Sequence, residues 1–242
     1  MLWVGLHGFG GQGEDLRPLF SSVVAENSSD SVWLPDLFLP GPLSPETDLA
    51  AWIDHFVKEI RIRAQGEPVQ AIGYSLGGRL LLHILVNHPE LFSAAVLVSS
   101  HPGITNSEEV RSRHLWEFQW AEKFRSLPWD QLWQEWNQNQ VLQGSTANSH
   151  LPESEQARQL LAQSLIEWSP TRHQFAEAQI RGLPVPVLWL AGQRDRKYVQ
   201  LYEGLKAQNV IQHLAFIPGA GHRAHLDQPD QVAKVVSDFF HA

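Results

Sequence analysis

Residues 68–87 read PVQAIGYSLGGRLLLHILVN: an apolar run closes at Gly73, turns through Tyr74, Ser75, Leu76 and Gly77, and resumes with apolar residues at helical spacing. The first part suits a strand buried on both faces, and the second suits an amphipathic helix. Between them stands Gly73-x-Ser75-x-Gly77. Two glycines allow a sharp strand-to-helix turn that lifts the serine hydroxyl above the sheet edge, beside a helix N-terminus whose free amides favour an oxyanion.

Working outward, strand and helix signals alternate. Residues 2–6 form a short apolar strand ending at His7-Gly8, followed by a helix over 14–25 and a strand over 31–36. A helix over 45–64, with Ser44 as its cap, carries Leu49, Trp52, Ile53, Phe56, Val57 and Ile60 at helical spacing. The strand 68–73, the helix 77–87 and the strand 94–98 continue the rhythm. It lapses after His101-Pro102-Gly103 into helical patterns holding six of the ten tryptophans (Trp116, Trp120, Trp129, Trp133, Trp136, Trp168). It resumes with a strand over 183–192, a helix over 198–208, a strand over 213–217 and a helix over 228–240. Such alternation predicts an α/β protein with a parallel six-stranded sheet, helices on both faces and an inserted helical segment.

Composition narrows the chemistry. The 242 residues include 18 Lys+Arg against 26 Asp+Glu, so the net charge of −8 argues against a nucleic-acid surface. Zero cysteine excludes disulfides, thiolate metal sites and a cysteine nucleophile. No run approaches the ~20 apolar residues of a membrane helix, and the opening MLWVGLHGFGG lacks an export pattern, which predicts a cytosolic protein without membrane contact.

A serine nucleophile or base needs a histidine, and the histidine needs a carboxylate to fix its tautomer. Asp195 follows the strand ending at Gly192, and His222 follows the last strand in the turn Pro218-Gly-Ala-Gly-His222. Both therefore fall at carboxyl ends of strands, in the chain order Ser75, Asp195, His222 that this motif requires. Asp36 precedes the serine and Asp227 follows the histidine, so they compete less well. His225 is the alternative base, and its pairing with His222 has metal-like spacing but no third ligand.

Gly8-Phe9-Gly10-Gly11-Gln12-Gly13 also fits the dinucleotide fingerprint Gly-x-Gly-x-x-Gly. However, His7 intervenes between strand and glycines, and no acid ends the next strand at the expected distance of ~20 residues. The better reading is a loop whose Phe9 amide joins that of Leu76 in an oxyanion hole.

Across the whole chain, His7-Gly8-Phe9, the Ser75 turn, the helical insertion and the Asp-then-His order resemble the α/β-hydrolase fold. The expected organisation is a core over 1–102 and 182–242 with a helical cap over 103–181, lacking the strand pair that usually opens this fold. Within the fold, Gly73 to Arg79, His101-Pro102-Gly103, Arg113 with Trp120 seven residues on, Trp136, the run GQRDRKY at 192–198 and the run AGHRAH at 220–225 are similar to the 2-succinyl-6-hydroxy-2,4-cyclohexadiene-1-carboxylate synthases of menaquinone biosynthesis.

That resemblance implies a lyase. A proton would be removed from 2-succinyl-5-enolpyruvyl-6-hydroxy-3-cyclohexene-1-carboxylate and pyruvate eliminated, with Ser75, His222 and Asp195 as catalytic residues and no cofactor or metal. The partner is a small polycarboxylate, and Tyr74, Arg79, Arg113 and Trp136 would bind it, since guanidinium forks suit carboxylates. The same triad on the same fold also hydrolyses carboxylic esters or carbon-carbon bonds of β-diketones, which is the alternative. One departure stands out. A further arginine of the family, late in the cap, has no clear counterpart because the run 156–171 is short, leaving Arg158 and Arg172 as candidates. Oligomeric state is open.

Overall fold

The computed structural model describes residues 1–24, 29–46, 48–145, 150–173, 175 and 177–241. Its sheet has six strands: β1 (Leu2–Leu6), β2 (Ser31–Trp33), β3 (Val69–Tyr74), β4 (Phe92–Val98), β5 (Val187–Gly192) and β6 (His213–Ile217). They lie in the order β2-β1-β3-β4-β5-β6, every neighbouring pair parallel. The order reverses between β1 and β3, and such a switch point opens a crevice beyond the carboxyl ends of the strands.

The inner strands are apolar throughout because both faces are covered. Val4, Leu6, Ala71, Ala95, Leu97, Trp189 and Ala191 point into one cluster, filled from outside by helices α2 (Leu49–Ala64) and α3 (Leu76–Asn87). The alternate residues Trp3, Ile72, Val96, Val98, Leu188 and Leu190 point into a second cluster under α1 (Arg17–Val23) and α10 (Pro229–Phe240). Between β4 and β5 run α4 (Ser107–Ser126), α5 (Trp129–Asn137), α6 (Glu155–Glu167) and α7 (Glu177–Arg181); no strand occurs there among the described residues. These helices share the first cluster. Trp168 packs edge-on against Trp52 at 5.7 Å, and Phe124, Trp133 and Trp136 continue the same apolar mass. After β5 come α8 (Arg196–Ala207) and, past β6, the short α9 (Ala224–Asp227).

Several expected boundaries move, each for a local reason. Helix α2 is capped by Asp48, whose carboxylate accepts from the amides of Ala50 and Ala51 at 3.0 Å, and not by Ser44. The apolar periodicity starts only at Leu49, so an earlier start would add a turn with nothing to bury. The stretch expected as one helix over 14–25 divides into a 3₁₀ turn (Gly13–Leu16) and α1, with Pro18 in the first turn of α1; its expected end, Ala25, lies outside the described residues. Strand β5 begins at Val187 because Pro184 and Pro186 have no N–H to donate to a ladder. Likewise β2 ends at Trp33, ahead of Pro35.

Candidate active site

Ser75 sits between β3 and α3 with φ 50° and ψ −109°, a backbone conformation that non-glycine residues rarely adopt. Its amide donates to the carbonyl of Val98 at 2.8 Å, which pins the turn to the neighbouring strand. The flanking glycines let the chain double back. A Cβ on Gly73 would stand 2.6 Å from the Cα of Gly78, and one on Gly77 would collide with the carbonyls of Leu6 and His7. Leu76 is the first residue of α3, so its amide belongs to the turn that has no intrahelical acceptor.

The Ser75 hydroxyl lies 3.1 Å from His222 Nε2, and His222 Nδ1 lies 2.6 Å from Asp195 Oδ2. Asp195 and His222 are both buried while Ser75 is half-buried. The loops carrying the acid and the base are stitched together: Gln193 N donates to Ile217 O at 2.9 Å and Arg194 N to Ala220 O at 2.8 Å. The rival acids are engaged elsewhere. Asp36 accepts from the Gly13 amide at 2.6 Å, and Asp227 accepts from the Gly221 amide at 2.8 Å, holding the turn that presents His222. His225 packs against the Tyr74 ring at 4.4 Å, and burial pushes its pKa down to about 4. Among the described residues no three His, Asp or Glu side chains cluster as a metal site would require.

Ser75 and His222 open into a cavity of about 300 Å³ that is also lined by Phe9, Leu76, Tyr74, Arg79, Arg113 and Trp136. The structure thus brings the expected residues to one place, with Asp195 behind His222. Arg79 donates to the carbonyl of Trp168 at 3.0 Å, and burial lowers its pKa to about 10, which keeps it charged at neutral pH. Arg113 donates through Nε to Glu117 Oε1 at 2.7 Å and lies over the Trp116 ring at 4.3 Å. Trp136 packs against Phe9 with ring centres 4.5 Å apart and the planes tilted by 33°, so the helical segment braces the loop after β1. That loop is closed to a pyrophosphate: a Cβ on Gly10 would collide with the Trp133 ring, and Gly10 O accepts from Leu151 N at 2.9 Å.

His7, buried after β1, is a structural residue. Its Nδ1 donates to Gly8 O at 2.8 Å and its Nε2 accepts from Leu37 N at 2.9 Å, one neutral tautomer satisfying both partners. Desolvation lowers its pKa in agreement with that neutrality.

The Alpha/beta hydrolase family profile matches residues 3–235. The chain belongs to the alpha/beta hydrolase family. Family membership fits the strand-turn-helix at Ser75, the parallel sheet and the strand-end positions of Asp195 and His222. The chain is 29% identical over 173 residues to the 2-succinyl-6-hydroxy-2,4-cyclohexadiene-1-carboxylate synthases of Salmonella newport and Salmonella arizonae, spanning 68% of this chain and 67% of each relative. In fold it is similar to MenH from S. aureus, with a TM-score of 0.81 at 19% identity, covering 100% of this chain and 93% of that one. It is also similar to a thermophilic esterase from Thermogutta terrifontis, with a TM-score of 0.70 at 16% identity, covering 100% and 89% of the two chains.

Two expectations within this alpha/beta hydrolase are corrected. Arg158 is not in the cavity: it pairs with Glu153 and donates to the carbonyls of Phe124 and Leu127 at 3.0 and 2.9 Å, tying α6 to the end of α4. Arg172 is also outside, donating to Ile166 O at 3.1 Å. The cavity is also lined by Glu117 and by His101, Lys197 and Arg223, three residues of the quoted motifs to which the sequence reading gave no individual site role. Glu117 was legible in principle, since it lies four residues after Arg113 on one helix. Arg223 directly follows His222 and reaches Asn137 Oδ1 at 2.7 Å.

Proposed function

We propose that the protein is a carbon-oxygen lyase that removes a proton from 2-succinyl-5-enolpyruvyl-6-hydroxy-3-cyclohexene-1-carboxylate and eliminates pyruvate. The observation that carries this reading is the Ser75-His222-Asp195 relay opening into a cavity lined by the guanidiniums of Arg79, Arg113 and Arg223. Arg79 and Arg113 suit a substrate with several carboxylates, and Tyr74 and Trp136 complete its enclosure. The identity to the Salmonella synthases is in accord.

In this mechanism His222 Nε2 takes the Ser75 proton while Asp195 holds the imidazole and stabilises its charged form. The serine oxygen then removes the proton beside a carbonyl. Electrons move through the ring, the carbon-oxygen bond to the enolpyruvyl group breaks, and the departing enolate takes the proton held on His222 Nε2 to become pyruvate, which returns the imidazole to its neutral form. The amides of Phe9 and Leu76 would stabilise the negative charge that develops.

Purified protein assayed for pyruvate release from this substrate, beside a panel of p-nitrophenyl esters, tests the reading. Fast pyruvate release supports the lyase. Ester turnover without it supports hydrolysis instead, which the same relay could perform.

A further inference from the structure

We infer that Lys197 is the third cation of the substrate cradle, and that with Arg79 and Arg113 it selects a tricarboxylate over a dicarboxylate. The inference rests on the proposed polycarboxylate reading and names the residue that reads one further charge.

The three cations come from distant parts of the chain, on α3, α4 and the first turn of α8, yet all line one cavity. His101 stands among them. Burial first, then Lys197, Arg79 and Arg113 in turn, hold its pKa down to about 3. Arg79 and Arg113 already have protein acceptors in Trp168 O and Glu117. Lys197 has no hydrogen bond or ion pair among the described residues, and its Nζ lies 5.9 Å from the centre of the Tyr198 ring. Lys197 is exposed and also lines the cavity, and desolvation first, then Arg113, lowers its pKa.

Lys197 is opposed by burial and by two like charges, against the attraction of Asp195 and Glu109. It is the second residue of α8, where the helix dipole disfavours a cation, and it faces two like charges. The acids lining the cavity are Asp15, which accepts from the Gln12 amide, and Glu117, which is already committed to Arg113. An arrangement of unbalanced cations around an enclosed space is relieved by an anionic ligand, and a lysine supplies the point charge that the turned-away Arg158 and Arg172 do not.

The test is calorimetric titration of the whole protein with propane-1,2,3-tricarboxylate and with pentanedioate. Lys197→Met should weaken the tricarboxylate roughly ten- to a hundredfold and the dicarboxylate much less, with Lys197→Arg restoring most of the difference. Arg196→Met, exposed and outside the cavity, should bind as the wild type does. Equal losses for both ligands, unchanged tricarboxylate affinity in Lys197→Met, or no tricarboxylate binding by the wild type would each overturn the inference. Because the readout is binding, it stands apart from pyruvate release: a wild type that binds the tricarboxylate through Lys197 but releases no pyruvate retains the cradle and loses the lyase.

Discussion

Asp195 divides its carboxylate between two tasks: Oδ2 lies 2.6 Å from His222 Nδ1, while Oδ1 accepts from the Tyr198 amide at 3.4 Å as the cap of α8. One residue thereby orders the imidazole and starts the helix that carries Lys197. The division makes the two roles separable by substitution.

Asp195→Asn keeps an acceptor for the cap but disrupts the tautomer of His222, so it should reduce turnover by on the order of 10³- to 10⁴-fold with little change in Tm. Asp195→Ala should lose the cap as well, costing up to about 1 kcal/mol more stability. Ser75→Ala and His222→Ala should be as inactive as Asp195→Asn, and the losses should not add. Wild-type rates in Asp195→Asn would show that the acid is misassigned.

Arg79→Ala and Arg113→Ala should each weaken an acidic substrate by roughly 1.5 to 3 kcal/mol while a neutral ester is little affected. Arg113→Ala should also lower Tm, because Glu117, only 1% exposed, loses its partner. Pairing Arg113→Met with Glu117→Leu should recover the Tm without recovering substrate binding. Steady-state kinetics and thermal melts on the same preparations separate the two effects, and equal losses on charged and neutral substrates would remove the argument for carboxylate recognition.

For the lyase, substrate deuterated at the abstracted position should show a primary kinetic isotope effect, and rapid quench should reveal no pyruvate burst. Intact-mass measurement during turnover should find unmodified Ser75. A substrate-derived adduct there would sink the general-base role even with pyruvate among the products.

Acid should destabilise the fold well above the carboxylate range. Burial pushes His83 and His225 down to about 4 and His101 to about 3, so the unfolded chain binds more protons than the folded one below about pH 6.5. Stability is therefore full above about pH 6.5 and falls as pH drops toward 4, by roughly 3 kcal/mol for His225 alone. Thermal melts between pH 7.5 and 4.5, on the order of a half-unit apart, check the sign, and His225→Gln should flatten the curve. A Tm that rises on acidification would contradict the burial argument.

Much of this protein was determined by local sequence. The strand-turn-helix of 68–87, the strand-end positions of Asp195 and His222, and the helical character of the stretch between β4 and β5 follow from periodicity and from the stereochemistry of glycine. These features depend on neighbours within a few residues, and so they can be read from the chain alone. The helix boundaries that moved did so where two signals competed at short range, as Ser44 and Asp48 did for the start of α2.

The tertiary structure alone decided which charged side chains share the cavity. Arg158 and Arg172 are the sequence's candidates for the family's further arginine, yet backbone carbonyls at Phe124, Leu127 and Ile166 claim them, while Lys197 on α8 lines the cavity with Arg79 and Arg113. A long cationic side chain carries no directional signal in its own neighbourhood. Its orientation is set by whichever acceptors and cavities the packing of distant helices happens to place within reach, and only the folded chain brings those together.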